Sequence, residues 1–403
     1  MALRTVIWTL VCLLLSAPAA TAQLPVMNAA TAPPFVKIGV LTNIGAVFAA
    51  YAGQGSVVAA RMAIEDAGMA GRVELVFADH KNNPELGVAI ARDWFDHAVD
   101  AIFDVPTSAV ALVVNALAGK RRRLVFFSTP ITDRLTEEEC NGYGIAWTWD
   151  VYSVAHSATL AQIRRGMRRW FIIAQEYPGG LAMEAMMRQT VEANGGEVLG
   201  AVRHPLGETE YNSYLAEAKA SNAQFIAFTA GGADLSSAVV QLREAGAIEP
   251  DQRFGMMYTT ITEVNTAGLA VLHGLEFTTA FYWDRDDRAR NFATRFFAIH
   301  QAMPTMFQAG VYSAVLNYLR AVQATGSTKA EIVRDWLRVT PIEDAFARNG
   351  KLLANGRFIH DMLLARIKSP EESKAPWDYY DIIGTVPAAQ AFRNLADSKC
   401  PLK

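Results

Sequence analysis

The sequence has few of the residues that build metal centres and redox sites. Its 403 residues include three cysteines, and its seven histidines are scattered without the spacing of metal ligands. There is no G-x-S-x-G elbow, no H-E-x-x-H, no phosphate-binding P-loop and no C-x-x-C. These absences argue against the common hydrolases, metalloproteases, nucleotide-binding enzymes and dithiol oxidoreductases. We therefore expect no catalytic residue, no metal and no cofactor.

The chain also lacks an excess of either charge. It has 37 basic and 40 acidic residues, so its formal net charge is −3. A balance this close to neutral gives no electrostatic reason to expect nucleic acid as a partner. Beyond the N-terminus, no segment is long and apolar enough to predict a transmembrane span.

The N-terminus has the three parts of a secretory signal peptide. Arg4 precedes the apolar run Val6–Leu15, which leads to Ala20-Thr21-Ala22. A basic start, an apolar centre and an A-x-A end predict export, with residues 1–22 as the signal peptide and cleavage after Ala22. We expect the mature protein in the periplasm.

Two cysteines, Cys140 and Cys400, remain after this cleavage. In an oxidising export compartment, two distant cysteines are more often paired than free. The sequence therefore predicts a disulfide that ties the C-terminal tail to the loop after Pro130.

One short stretch shows the local pattern of the whole chain. The apolar run Ala101–Val105 predicts a strand, Pro106-Thr107-Ser108 breaks it, and a helix follows from Ala109. The first N–H groups of a helix have no partner within it, so this turn could receive an anionic or polar ligand group. Alternatively, Ser108 only caps its own helix.

Two series of short strands alternate with helices along the chain. This alternation predicts an α/β protein with parallel sheets covered on both faces, in two similar domains. Ligands of such sheets bind beyond the carboxyl ends of the strands. Polar, small and aromatic residues recur in those turns; singly each is more often a turn residue than a ligand contact. The candidates are Tyr51, Thr107, Ser108, Ala109, Ser128, Thr132, Tyr177, Gly231, Asp234 and Glu263.

Several stretches together resemble a known family. They include VELVFADHKNNPELGVAIARDW, AIFDVPTSAVAL and MPTMFQAGVYSAV. The chain resembles the type I periplasmic solute-binding proteins of ABC transporters, the leucine/isoleucine/valine-binding protein family. The resemblance implies two doubly wound parallel-sheet lobes joined by three hinge crossovers, with closure on a ligand and no catalysis. It also implies an ABC permease of the inner membrane as partner, and we expect a monomer.

The resemblance implies lobe limits as well. Lobe one would comprise residues 35–147 plus 282–350, and lobe two residues 148–281 plus 351–403. The crossovers would lie near Trp147-Thr148, Ala280–Trp283 and Lys351–Ile359.

Carried over by position, the resemblance assigns roles to the candidate residues. Thr107-Ser108-Ala109 would hold a ligand carboxylate together with Thr132, and Glu263 or Asp234 would face an ammonium group. Tyr177 would close over the ligand, and Tyr51 and Trp149 would line its apolar part together with Tyr177. Pro130 and Ile131 depart from the smaller residues of many relatives, which argues against ordinary branched-chain amino acids. The expected cleft is rich in rings, which would suit a flat or aromatic acid, and the solute expected is an aromatic acid or an amino acid. The rings are Phe48, Tyr51, Trp147, Trp149, Tyr177 and Phe281.

Two other classes of function remain open at this point. A ligand-sensing subunit that binds an amide or an amino acid and feeds a regulator would share all of these features. A secreted enzyme on the same frame is disfavoured because no nucleophile–base pair is visible.

Overall fold

The computed structural model describes residues 35–45, 49–205, 207–230, 232–244 and 252–402. The predicted signal peptide, Phe48 and Gly231 lie outside these ranges. Among the described residues, no helix has the length and apolar character needed to cross a membrane.

The first sheet has the spatial strand order β2-β1-β3-β4-β5, and every neighbouring pair in it is parallel. Its strands are β1 (Val36–Thr42), β2 (Val73–Asp79), β3 (Ala101–Asp104), β4 (Leu124–Phe127) and β5 (Gly144–Ala146). Its connecting helices are α1 (Gly53–Asp66), α2 (Pro84–Asp96) and α3 (Ser108–Arg121). Helix α2 begins where the sequence marks it, because Asn83 caps the amide of Leu86 and Pro84 occupies the first turn.

The second sheet has the order β14-β13-β10-β9-β8-β6-β7, parallel from β7 to β10 and antiparallel beyond it. Its strands are β6 (Arg169–Gln175), β7 (Glu197–His204), β8 (Phe225–Phe228), β9 (Arg253–Met256), β10 (Glu276–Thr279), β13 (Met362–Ile367) and β14 (Tyr380–Val386). Its helices are α4 (Ser157–Arg164), α5 (Pro178–Ala193), α6 (Asn212–Ala220), α7 (Gly232–Glu244), α8 (Ile261–Ala267) and α9 (Leu269–Leu272). This mixed α/β architecture confirms the predicted fold class.

The helices after the second series return to the first sheet. They are α10 (Asp287–His300), α11 (Met306–Thr325) and α12 (Ala330–Val339). Tyr318 of α11 packs edge-on against Phe103 of β3, with ring centroids 5.6 Å apart. Gly310 lets α11 approach the first crossover, because a Cβ there would collide with the Thr148 hydroxyl. A late helical segment thus covers a sheet whose first strand begins at Val36, far earlier in the chain.

The C-terminal tail contributes to both sides of the molecule. Strands β13 and β14 join the second sheet, whereas the hairpin β11 (Lys351–Leu352) and β12 (Phe358–Ile359) lies beside β5 through an Ala146–Arg357 bridge. After α13 (Ala388–Ala391) the tail reaches the loop between β4 and β5. The lobe limits given above therefore stay a proposal, and the tail does not belong to one sheet alone.

The predicted disulfide is present. Cys140 and Cys400 are bonded, with their Cα atoms 5.7 Å apart and a sequence separation of 260. The neighbouring Lys399 adds a hydrogen bond from its amide to Glu137 and an ion pair to Glu138. The disulfide therefore ties the C-terminal tail to the loop between β4 and β5, as the sequence predicts.

Two local expectations differ from the structure. The expected strand Ala101–Val105 ends one residue earlier, at Asp104, because the backbone leaves the β region there: Asp104 and Val105 take positive φ angles of 81° and 54°. The sequence over 151–165 predicts a single helix, but the structure begins there with a π-helical turn at Tyr152–His156 before α4.

Candidate functional site

The turns that follow β1, β3 and β4 lie side by side. Leu41 pairs with Asp104, and Asp104 pairs with Phe127, so the three strands end at the same level. The turn after β1 presents Tyr51, the turn after β3 presents Thr107, and the turn after β4 begins at Ser128. The topology therefore brings the first series of candidate residues to one edge of the first sheet, as parallel strands require.

The turn between β3 and α3 leaves its hydroxyls unused. Thr107 is the N-cap of α3, but its side chain makes no capping hydrogen bond, and Ser108 and Ala109 are already in the helix. Among the described residues, the buried Thr107 Oγ1 and Ser128 Oγ atoms have no hydrogen-bond partner. Such orphaned polar atoms are costly unless something pairs with them. No side chain therefore caps α3 in this structure, and a contact between these hydroxyls and a ligand stays a prediction.

An acidic residue from the second sheet faces these turns. Glu263, in the first turn of α8, forms a capping box with Thr260 and so is held in place by the backbone. Its Oε1 atom accepts a hydrogen bond from the Tyr51 hydroxyl at 2.6 Å, which joins two residues 212 positions apart. Burial, and then the nearby charge of Glu263, raise the pKa of Tyr51. Tyr51 and Glu263 therefore meet where the edges of the two sheets face each other.

Aromatic rings continue this contact. Trp149, just beyond the first crossover, packs against Tyr258 at 4.7 Å and against Phe307 at 4.9 Å between ring centroids. Its indole N–H donates to the Thr129 carbonyl at 2.9 Å, which orients the ring towards the turn after β4. Sequence reasoning predicted Trp149 but missed Tyr258 and Phe307. Tyr258 lies two residues after β9, so its position at the carboxyl end of a strand was a signal that could have found it.

Tyr177 approaches the same rings from the second sheet. It is the N-cap of α5, and burial raises the pKa of its hydroxyl. Burial, and then the charges of Tyr177 and Glu263, raise the pKa of Tyr258, so both residues lie near the Tyr258 hydroxyl. The structure thus joins Tyr51 to Glu263 and Trp149 to Tyr258 by direct contacts, and Tyr177 and Glu263 both act on the pKa of Tyr258.

Three other candidates have partners of their own. The Asp234 carboxylate accepts hydrogen bonds from Gln175 Nε2 at 2.6 Å and from the Gly207 amide at 2.9 Å, within the turns of the second sheet. The Thr132 hydroxyl accepts from the Arg134 amide and caps a short 3₁₀ turn. Phe281 is buried and lines a narrow gap beside the cluster. The structure therefore does not bring these side chains into the Tyr51–Glu263 contact.

The site has the composition of a binding cleft. Rings and hydroxyls dominate it, and its carboxylates are held by hydrogen bonds within the protein. Within the described part of the chain, no group of three or more His, Cys, Asp or Glu side chains could hold a metal ion. Apolar walls with a few polar groups at fixed positions suit a small organic ligand.

Comparison with known proteins agrees with this architecture. The sequence model of a family described as periplasmic binding protein matches residues 36–374. The chain belongs to the periplasmic binding protein family. Members of this family bind small molecules and deliver them to ABC transporter permeases. No curated protein sequence matches the chain.

Solved structures place this periplasmic binding protein among close relatives. It is similar to a branched-chain amino acid ABC transporter periplasmic ligand-binding protein from Burkholderia xenovorans, with 42% identity, a TM-score of 0.89, and coverage of 91% of this chain and 99% of that one. A periplasmic binding protein from Burkholderia mallei is 36% identical, with a TM-score of 0.81 and coverage of 91% and 98%. A solute-binding protein from R. palustris in complex with benzoate shares the fold at 16% identity, with a TM-score of 0.76 and coverage of 91% and 99%.

Proposed function

We propose that this periplasmic binding protein captures a small carboxylate-bearing solute, an aromatic acid or an amino acid, and presents it to an inner-membrane ABC permease. The solute would lie between two lobes, built on residues 35–147 plus 282–350 and on 148–281 plus most of the remaining tail. Binding would favour the closed arrangement of the lobes. The single observation that supports a cleft ligand most directly is the pair of orphaned buried hydroxyls at Thr107 and Ser128.

The carboxylate would bind at the start of α3. Thr107, Ser108 and Ala109 form this end of the helix, where free backbone N–H groups and the helix dipole favour an anion. Ser128 adds its hydroxyl from the neighbouring turn, whereas the Thr132 hydroxyl already caps a 3₁₀ turn and would have to leave it. This division makes Thr107 and Ser128 the stronger of the proposed carboxylate contacts.

The remaining part of the solute would contact the ring cluster. Tyr51, Trp149 and Tyr177 would form its walls, and Phe281 would close the side towards the hinge. Glu263 would receive an ammonium group if the solute is an amino acid, because its carboxylate already lies at the Tyr51 hydroxyl. Asp234 would support the turns of the second sheet through its bonds with Gln175 and Gly207. The Burkholderia xenovorans relative, named for a branched-chain amino acid transporter, supports the amino-acid alternative.

A thermal-shift screen tests the ligand class. Leucine, phenylalanine, benzoate and 4-hydroxybenzoate would be compared with benzamide and urea, which lack a carboxylate. A ligand at 100 times its Kd adds about 2.7 kcal/mol to the free energy of unfolding, so a binder should raise the melting temperature measurably. A shift with benzamide or urea and with none of the acids would refute the carboxylate assignment.

Two hydroxyl variants locate the site. T107V and S128A remove the orphaned hydroxyls, and each should weaken binding of the acid found in the screen by about 1–3 kcal/mol if a charged hydrogen bond is lost. T159V is the matched control, because Thr159 is also buried with an unpartnered hydroxyl but lies in α4. Equal affinities of T107V, S128A and T159V for the acid would show that the ligand does not bind at the α3 turn.

A further inference from the structure

We propose that Asp104 is a positioning residue of the binding site. Its buried carboxylate, when ionised, accepts the hydrogen bonds that hold the turns after β1, β3 and β4 in one arrangement. The proposal rests on the proposed function, since these turns would hold the solute. Asp104 itself would not contact the solute, because it is fully buried beneath them.

The hydrogen bonds of Asp104 come from both neighbouring strands. Oδ2 accepts from the Thr42 hydroxyl at 2.7 Å, and Oδ1 accepts from the Thr129 hydroxyl at 2.6 Å. Thr42 ends β1 and Thr129 follows β4, so one carboxylate links the two turns that flank its own. Both of these donors are neutral, so hydroxyls rather than a cation satisfy the buried carboxylate.

Each of these hydroxyl contacts leads further into the site. Thr42 Oγ1 accepts from the Gly53 amide at 3.1 Å, at the start of α1 and two residues after Tyr51. The Thr129 carbonyl accepts the Trp149 indole N–H. Through these bonds, Asp104 helps to position Tyr51 and Trp149, two of the proposed wall residues, without contacting either of them.

The backbone at Asp104 needs such support. Asp104, Val105 and Thr107 all have positive φ angles, and for a β-branched residue such as Val105 this conformation is strained. The surrounding structure holds it: the Val105 amide donates to the Leu41 carbonyl at 2.9 Å, and the Ser128 amide donates to the Asp104 carbonyl at 3.1 Å. The strained turn therefore persists because backbone and side-chain bonds from two neighbouring strands act on one residue.

Protonation of Asp104 should loosen this arrangement. Burial raises its pKa to about 6, and the hydroxyls of Thr129, Thr42 and Ser56 lower it only in part. A neutral carboxyl group carries an O–H of its own, so it cannot accept equally well at both oxygens while two hydroxyls donate to it. Ligand affinity should therefore fall as the pH falls through about 6.

Other titratable groups near these turns must be separated from Asp104. Asp79 and His80 follow β2, and the His80 amide donates to the Thr42 carbonyl. Burial lowers the pKa of His80 and of His300, which packs near the start of α1. Glu263 lies at Tyr51. The H80N variant tests the nearest of the two histidines directly.

The binding experiment compares D104N with the unaltered protein. Isothermal titration with leucine and with benzoate would run from about pH 7.5 to about pH 5, where neither probe changes its charge. The unaltered protein and H80N should lose roughly tenfold in affinity over this range, since one charge-assisted hydrogen bond is lost. D104N should bind roughly tenfold more weakly at about pH 7.5. Between about pH 7.5 and about pH 5 it should lose no further affinity from protonation at residue 104.

D344N is the matched control for removing a buried carboxylate. Asp344 is also buried in the first-sheet half and accepts from Ser313, Asn317 and two backbone amides, but it lies away from the three turns. D344N should keep the pH dependence of affinity. An affinity that rises as the pH falls would show that Asp104 acts as a repelling charge, and a dependence lost in H80N but kept in D104N would assign the effect to His80; either result overturns the proposal.

A second readout needs no ligand. Hydrogen exchange followed by mass spectrometry should show faster exchange in D104N for the amides of Gly53 and Ser128, and unchanged exchange there in D344N. Equal exchange in D104N and the unaltered protein would overturn the positioning role. If neither probe binds the unaltered protein while this exchange difference is present, the proposed carboxylate function fails and the positioning role of Asp104 stands.

Discussion

Replacement of Arg357 by methionine should destabilise the connection between the two sheets strongly. Arg357 lies in the hairpin between them, and its Nη2 atom pairs with Asp150 Oδ2 at 2.9 Å. Its Nη1 atom donates to the carbonyls of Ala146 and Trp149 at 3.2 and 2.9 Å, on either side of the first crossover. Arg357 and Asp150 are only 3% and 5% exposed, so neither charge is compensated by water.

The magnitude follows from what the variant would leave behind. Methionine fills much of the same volume but leaves Asp150 as a buried charge without its cation, and two carbonyls lose a donor. Removal of one partner of a buried ion pair costs about 3–5 kcal/mol, because the remaining charge stays desolvated. We expect a loss in this range for R357M at about pH 8.

The stability of R357M should also depend on pH in a defined direction. Asp133 lies near Asp150, and burial followed by the Asp150 charge raises the pKa of Asp133, while Arg357 and Arg393 lower it. Loss of Arg357 removes a charge that lowers the pKa of Asp133, so this pKa rises further and the native state binds a proton at pH values where the unfolded chain has released it. Stability of R357M should then rise as the pH falls, and about 1.4 kcal/mol is regained for each pKa unit of extra shift.

Urea unfolding followed by circular dichroism at about pH 8 and about pH 5 measures both effects. The double variant D150N/R357M is the control, because it removes both charges and should be more stable than R357M alone. A loss below about 1 kcal/mol, or an equal loss at both pH values, would refute the reasoning.

Three further predictions concern other contacts. The C140S/C400S double variant should lose about 3–5 kcal/mol in urea unfolding, because the bond closes a long segment of the chain, and unchanged stability would contradict this. Y51F should lower the free energy of unfolding by about 1–2 kcal/mol, since it removes a bond to the α8 carboxylate, whereas Y380F should cost less because that buried hydroxyl has no partner in the described structure. The raised pKa of Asp104, about 6, means that the native state keeps a proton there which the unfolded chain loses near its ordinary value. The stability that this bound proton contributes should be complete below about pH 4 and absent above about pH 6, and it should amount to at most about 3 kcal/mol. A D104N variant whose free energy of unfolding changes with pH by the same slope would disprove this prediction.

The strand-and-helix order could be predicted because its signals are local. A short apolar run followed by Pro106 and small polar residues marks the end of β3 and the start of α3 within a residue or two. Parallel sheets then follow from the alternation of strands and helices, and the carboxyl-end turns follow from the parallel sheets. The pairing of Cys140 with Cys400 was predictable for a different reason, since no other cysteine remains after the expected cleavage.

The partners of individual side chains could not be predicted in this way. Nothing near Tyr51 in the chain indicates that its hydroxyl meets Glu263, and nothing near Arg357 indicates Asp150, because such contacts depend on how distant segments pack. From the local sequence, Asp104 is a residue inside a short predicted strand. Only the neighbouring turns, through Thr42 and Thr129, make it a buried hydrogen-bond acceptor. The primary sequence thus specifies the elements and their order through short-range periodicity, while long-range packing selects which polar groups are paired, buried or left for a ligand.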